Sequence, residues 1–168
     1  MTDLETLYRQ HASAVFRFAW GLCGQRSEAE DLVAETFVRI LTKAPRIQTQ
    51  TALAYLLAVA RNVYLTGLRR RRREVPLPDE IQAAETDQVA RLDDRARLEA
   101  ALKALGGLPE GERAALLLRV DHGLAYEDIA AALGISVVAA KVRVHRARLR
   151  LTNAPGPKGR NHEARRDT

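Results

Sequence analysis

Two segments with helical apolar spacing, 126–133 and 137–151, are separated only by Gly134, Ile135 and Ser136. A joint that short fixes the angle between two helices and produces a helix-turn-helix pair. Gly134 can take the positive φ that such a turn needs. Ala130 is small where the helices cross, and Ile129, Leu133, Ile135 and Val144 supply the core beneath them. Ser136 is placed to cap the second helix and to leave its first amides facing an anion.

The rest of the chain also favours helices. Ala, Leu and Val dominate its apolar residues, and aromatic residues make up only 5%. Leu4, Leu7, Tyr8, His11, Val15, Phe18 and Leu22 keep a helical period that Gly21 and Gly24 interrupt. Ser27 followed by Glu30 reads as a capping box opening a second helix, with Leu32, Val33, Phe37, Ile40 and Leu41 as its apolar stripe and Pro45 as its stop. Thr49 or Thr51 caps a third, which carries Leu53, Leu56, Leu57, Ala60, Val63, Tyr64 and Leu68 and closes on Arg69 to Arg73. Further on, Leu98, Leu102 and Leu105 predict a helix ending at Gly106, Gly107 and Pro109. Another is predicted from about 110 to 122, with Gly123 as a left-handed cap.

Charge divides this all-helical pattern. Residues 1–73 carry 12 basic and 6 acidic side chains, residues 74–97 carry 3 and 7, and residues 98–168 carry 12 and 8. The expectation is an all-α chain of two small helical domains, 1–73 and 98–152, on a flexible acidic linker, 74–97, with a disordered basic tail, 153–168.

The formal charge of +6 admits an acidic polymer as partner. On the second helix of the helix-turn-helix, Lys141, Arg143, His145, Arg146, Arg148 and Arg150 suit phosphates and base edges in a major groove. A solvated basic helix on an ordinary bundle is the plainer alternative. Tyr55, Arg61, Asn62 and Tyr64 share one helix with the arginine run, so that stacking and edge-reading groups lie beside positive charge. Tyr55 and Tyr64 read equally well as core. Glu28, Glu30 and Asp31 suit a helix N-terminus, whereas Glu35 lies too far along and points to a basic protein partner.

Other chemistries lack their residues. Cys23 is the single cysteine, and His11, His122, His145 and His162 have no metal-ligand spacing. No nucleophile, base and carboxylate converge, so no catalytic residue, metal, cofactor or small-molecule substrate is expected. The first residues lack an apolar signal core and no run approaches a membrane span, which reads as a cytoplasmic chain.

From Leu7 to about Leu151 these segments resemble, in order, the extracytoplasmic-function sigma factors of the sigma-70 family. SEAEDLVAETFVRIL is similar to the region that docks on the clamp helices of the polymerase largest subunit. ALAYLLAVARNVYLTGLRRRRRE is similar to the helix that melts and reads the minus-ten element. The segment from Leu105 to Leu151 is similar to the domain that binds the minus-thirty-five element and the polymerase flap. The resemblance implies core-polymerase contacts at Asp31, Glu35 and Arg39. It puts Arg61, Asn62, Arg69, Arg70 and Arg71 at the opened promoter, and Ser136, Lys141, Arg143, His145, Arg146 and Arg148 on the upstream duplex. It also implies an anti-sigma factor as a partner. Ala34, Tyr55, Thr66, Gly67, Val138, Ala139, Ala140 and Val142 depart from the residues usual in that family. A helix-turn-helix regulator with an N-terminal ligand-binding or dimerisation bundle, and a helical adaptor that does not bind DNA, are the rival readings.

Overall fold

The computed structural model describes residues 3–44, 46–73 and 92–153, and among them there are helices and no strands. The N-terminal half is a three-helix bundle of α1 (Leu4–Cys23), α2 (Arg26–Lys43) and α3 (Ala52–Arg73). Phe18, Leu22, Leu32, Phe37, Leu57 and Val63 meet in its core. Helix α1 ends where Gly24 turns left-handed at φ 76°, and its N–H donates to the Trp20 carbonyl at 2.8 Å. Gly21 does not interrupt α1 but lies buried within it.

The capping box expected at Ser27 and Glu30 does not form. The left-handed turn at Gly24 lets the chain re-enter a helix after Gln25 alone, so Ser27 already lies inside the first turn. Glu30 reaches back to Arg26 at 3.4 Å instead. Leu41, the last residue of the apolar stripe, is 64% exposed. At α3, Thr51 is the cap of the two candidates: its Oγ1 accepts the Ala54 N–H at 3.1 Å.

The C-terminal half contains α4 (Leu92–Gly106), α5 (Glu110–Leu116), a π-helical turn (Leu117–Asp121), α6 (Tyr126–Leu133) and α7 (Val137–Asn153). Helix α4 starts inside the stretch expected to be linker. Asp93 and Asp94, counted there as linker acid, occupy its first turn, where they complement the helix dipole. The rest of the expected linker, 74–91, and the expected tail from 154 lie outside the described residues. The helix expected from 110 to 122 is continuous but widens in its last turn, where His122 N–H reaches the Leu117 carbonyl at 3.2 Å. Gly123 and Gly134 are left-handed at φ 63° and 66°.

The halves pack on each other: α6 lies against α3, and α4 and the π turn lie against α1. Leu117 Cδ1 sits so close to Gly21 that a Cβ there would be 2.8 Å away, which makes this glycine a notch for the other domain.

Gly134→Ala is expected to destabilise the chain by about 1–2 kcal/mol, because an L side chain in the left-handed region meets the following carbonyl. Urea denaturation checks it, and an unchanged midpoint would contradict the role given to the turn.

Candidate nucleic-acid interface

Helix α7 has one buried face and one open one. Ala140, Val144 and Ala147 are buried against α5 and α6. At helical spacing opposite them, Val138, Lys141, Val142, His145 and Arg146 are exposed. Ser136 Oγ accepts the Ala139 N–H at 3.1 Å, which completes the expected cap. The Lys141 ammonium lies 5.6 Å from the ring centre of Tyr126, and the Arg119 guanidinium 4.2 Å from it, so one tyrosine organises two cations beside the turn.

The six residues expected on the upstream duplex are therefore not equivalent. Ser136 stands at the helix start, Lys141, His145 and Arg146 share the open face, and Arg148 is exposed at its edge. Arg143 turns away from that face. Its guanidinium fills the space that a Cβ would need at Gly111 of α5. Arg150 is likewise drawn to α5, pairing with Glu112 at 2.7 Å.

The residues expected at opened DNA are split more sharply. Arg61 is buried, 8% exposed, and donates through Nε and Nη2 to the two carboxylate oxygens of Glu110, each at 2.8 Å. Such a fork-to-fork pair is geometrically specific, and here it joins α3 of one half to α5 of the other. Asn62 is exposed beside it. Arg69, Arg70 and Arg71 are exposed at the end of α3, and Arg71 pairs with Glu28 of α2 at 2.7 Å. Tyr64 is core rather than a stacking platform. Burial raises its phenol pKa, and its hydroxyl accepts from Arg113 at 3.3 Å.

Three groups absent from the sequence expectations hold the halves together. Arg113 donates to the carbonyls of Leu22 at 2.6 Å, Leu105 at 2.9 Å and Leu108 at 2.9 Å, as well as to Tyr64. Buried Asp128 accepts the Gln50 N–H at 2.9 Å. His122 packs edge-on against Phe18 with ring centres 5.8 Å apart. Burial lowers the His122 pKa, with Asp121 opposing the shift and Arg17 adding to it. Asp121 Oδ2 is 3.2 Å from Nε2, yet outside hydrogen-bond geometry, so the imidazole gains little from it. No sequence signal marks the pairings that cross between the halves, since Leu22 lies 91 residues from Arg113 and Gln50 78 from Asp128.

On α2, Asp31 and Glu35 are exposed, and half-buried Arg39 approaches Glu35 at 3.9 Å. Val38, 56% exposed, and Leu41 extend this strip along the same side of the helix. A separate apolar groove of about 260 Å³ opens between α4, the π turn and the end of α7, lined by Ala104, Leu105, Leu117, Val120 and Leu151. Burial pushes the Cys23 thiol up to about 11, so it stays protonated and weakly nucleophilic. Among the described residues no helix is long and apolar enough to cross a membrane.

Residues 7–74 match the family description Sigma-70 region 2, and residues 98–151 match Sigma-70, region 4. Over 156 residues the chain is 36% identical to the ECF RNA polymerase sigma factor SigE of Mycolicibacterium smegmatis, covering 90% of this chain and 61% of that relative. The chain thus spans less than two thirds of that relative's length. It is 38% identical over 140 residues to the ECF RNA polymerase sigma factor EcfG of Rhodopseudomonas palustris, covering 80% and 75%. Among solved structures, the sigma factor RpoE in complex with the anti-sigma factor NepR from Bartonella quintana superposes with a TM-score of 0.69 at 28% identity, covering 90% of this chain and 96% of that one.

Glu110→Ala is expected to cost the packed arrangement about 3–5 kcal/mol, because it strands the Arg61 charge in a buried site. A larger radius of gyration by X-ray scattering and a lower urea midpoint would register it; no change in either contradicts the pairing. For His122, a folded-state pKa below the unfolded value means that the unfolded chain takes up the proton first. Stability is therefore retained above about pH 6.5 and falls as the pH drops from there towards the lower folded value. His122→Leu should flatten that part of the pH profile, measured by urea unfolding between pH 7.5 and 5.5.

Proposed function

The chain belongs to the extracytoplasmic-function RNA polymerase sigma factors of the sigma-70 family, and on that premise we propose that it binds core RNA polymerase, recognises promoter DNA and supports promoter melting. The observation that carries this reading is the presence of both sigma regions, in order, on one chain.

The upstream half works as a duplex reader. Helix α7 enters the major groove, the capped start of the helix and Ser136 meet a phosphate, and Lys141, His145 and Arg146 face the bases and backbone. Arg148 adds backbone charge at the edge. Arg143 positions α7 on α5 and reaches DNA only if it leaves Gly111. In the downstream half, Asn62 and the cations Arg69, Arg70 and Arg71 receive the separated strand. Arg61 joins them once Glu110 releases it, so the packed arrangement is a closed form that must open along the α3–α5 contact.

Asp31, Glu35 and Arg39, with Val38 and Leu41 beside them, form the surface for the clamp helices of the polymerase largest subunit. An apolar strip edged with charge suits a protein partner better than a phosphate backbone. The groove between α4 and α7 suits the polymerase flap. The solved relative bound to NepR supports an anti-sigma factor as a further partner, one that would hold the protein away from polymerase. The chemistry of RNA synthesis stays with polymerase; this chain contributes recognition, and needs no cofactor, metal or small-molecule substrate of its own.

The direct test is run-off transcription with sigma-free core polymerase and genomic fragments. Discrete start sites that appear only when the protein is added support the reading, and their absence refutes it. Within that assay, Glu35→Arg should weaken core-enzyme binding at least tenfold while leaving the circular-dichroism melt unchanged, because it reverses the charge on an exposed contact. Undiminished capture of core enzyme by this variant would remove α2 from the interface.

A further inference from the structure

Val138 is 71% exposed and Val142 39% exposed on the open face of α7, at i and i+4. They are flanked by Lys141 and Arg146 and followed by His145 on the same face. Two branched apolar side chains in the middle of a cationic reading face are costly in water unless a partner covers them. The surrounding charge favours a polyanion as that partner. In the major groove of a DNA duplex, the apolar group that a base presents is the C5-methyl of thymine.

We propose that Val138 and Val142 set the sequence of the upstream promoter element by packing on thymine C5-methyl groups in the major groove. The proposal rests on the reading of α7 as the upstream duplex reader, and adds the chemical feature that it recognises. Valine has no donor or acceptor, so these two positions cannot read base edges by hydrogen bonds. Opposite cytosine they would find no methyl and would cover the exocyclic amino group without satisfying it. Their χ1 is already narrowed within a helix, so seating them against DNA loses little side-chain entropy. Neighbouring Ala139 adds no bulk, and Ala140 is buried beneath, so the helix can approach the base edges closely.

The test uses holoenzyme assembled from the full chain and core polymerase, on a promoter mapped by run-off transcription. Each thymine of the upstream element is replaced singly by deoxyuridine, which deletes the methyl and keeps base pairing. Wild-type holoenzyme should bind about fourfold more weakly for each methyl that a valine covers. The V138A/V142A variant should bind thymine and uracil duplexes equally. Alanine is the better helix former at exposed positions, so this variant should keep its fold, which circular dichroism verifies.

Uracil bound as tightly as thymine by the wild type would overturn the proposal and leave the valines to a protein partner. So would a thymine preference that survives in V138A/V142A. If scrambling the whole upstream duplex changes nothing, the assignment of α7 fails along with the proposal, an outcome distinguishable from the first two.

Discussion

The carbonyl ends of α1 and α4 converge on the guanidinium of Arg113, which also reaches the Tyr64 hydroxyl on α3 and the Leu108 carbonyl in the turn before α5. Helix C-termini leave carbonyls without intrahelical partners, and burying them unsatisfied is expensive. One planar cation with five donors meets this demand at several elements at once. Further contacts join the halves elsewhere along the interface. Leu117 enters the notch at Gly21, Phe18 meets His122, Asp128 takes the Gln50 amide, and Glu110 grips Arg61. Removing the hub would leave polar groups stranded on both domains.

This arrangement treats the two clusters of cations unequally. The open face of α7 points away from the domain contact, with its cations and valines exposed. Arg61, by contrast, is spent inside the contact. A buried ion pair contributes little net stability, since desolvation offsets most of the Coulomb gain, but it is highly specific about geometry. Such a pair holds one alignment at little cost to separation. A partner that favours the separated halves would open this joint, since binding shifts an equilibrium by the difference in affinity for its two states.

Four of the exposed apolar residues form two strips. Val38 and Leu41 accompany Asp31 and Glu35 on α2, whereas Val138 and Val142 accompany Lys141 and Arg146 on α7. Both strips would gain from being covered. The charge around each differs in sign, and charge complementarity directs the choice of partner more than it adds affinity. An acidic margin fits a protein surface with basic residues, and a cationic margin fits nucleic acid.

Local features were legible in the sequence because their physics is local. Helix α6 and the start of α7 fall where the apolar period and Gly134 put them, and Thr51 and Ser136 cap their own helices through a hydrogen bond three residues away. The two-domain, all-helical division followed from the same period together with the charge blocks. What the capping pattern misjudged was the helix start at Ser27, where a left-handed Gly24 decided otherwise. The fates of Arg61, Arg143, Arg113 and His122 belonged to the tertiary structure alone. Each depends on which group from another helix arrives beside it, Glu110 being 49 residues from Arg61. An arginine reads the same in the sequence whether it will meet a phosphate, a carboxylate or a row of carbonyl oxygens. Only the packing of the helices brings one of these within reach.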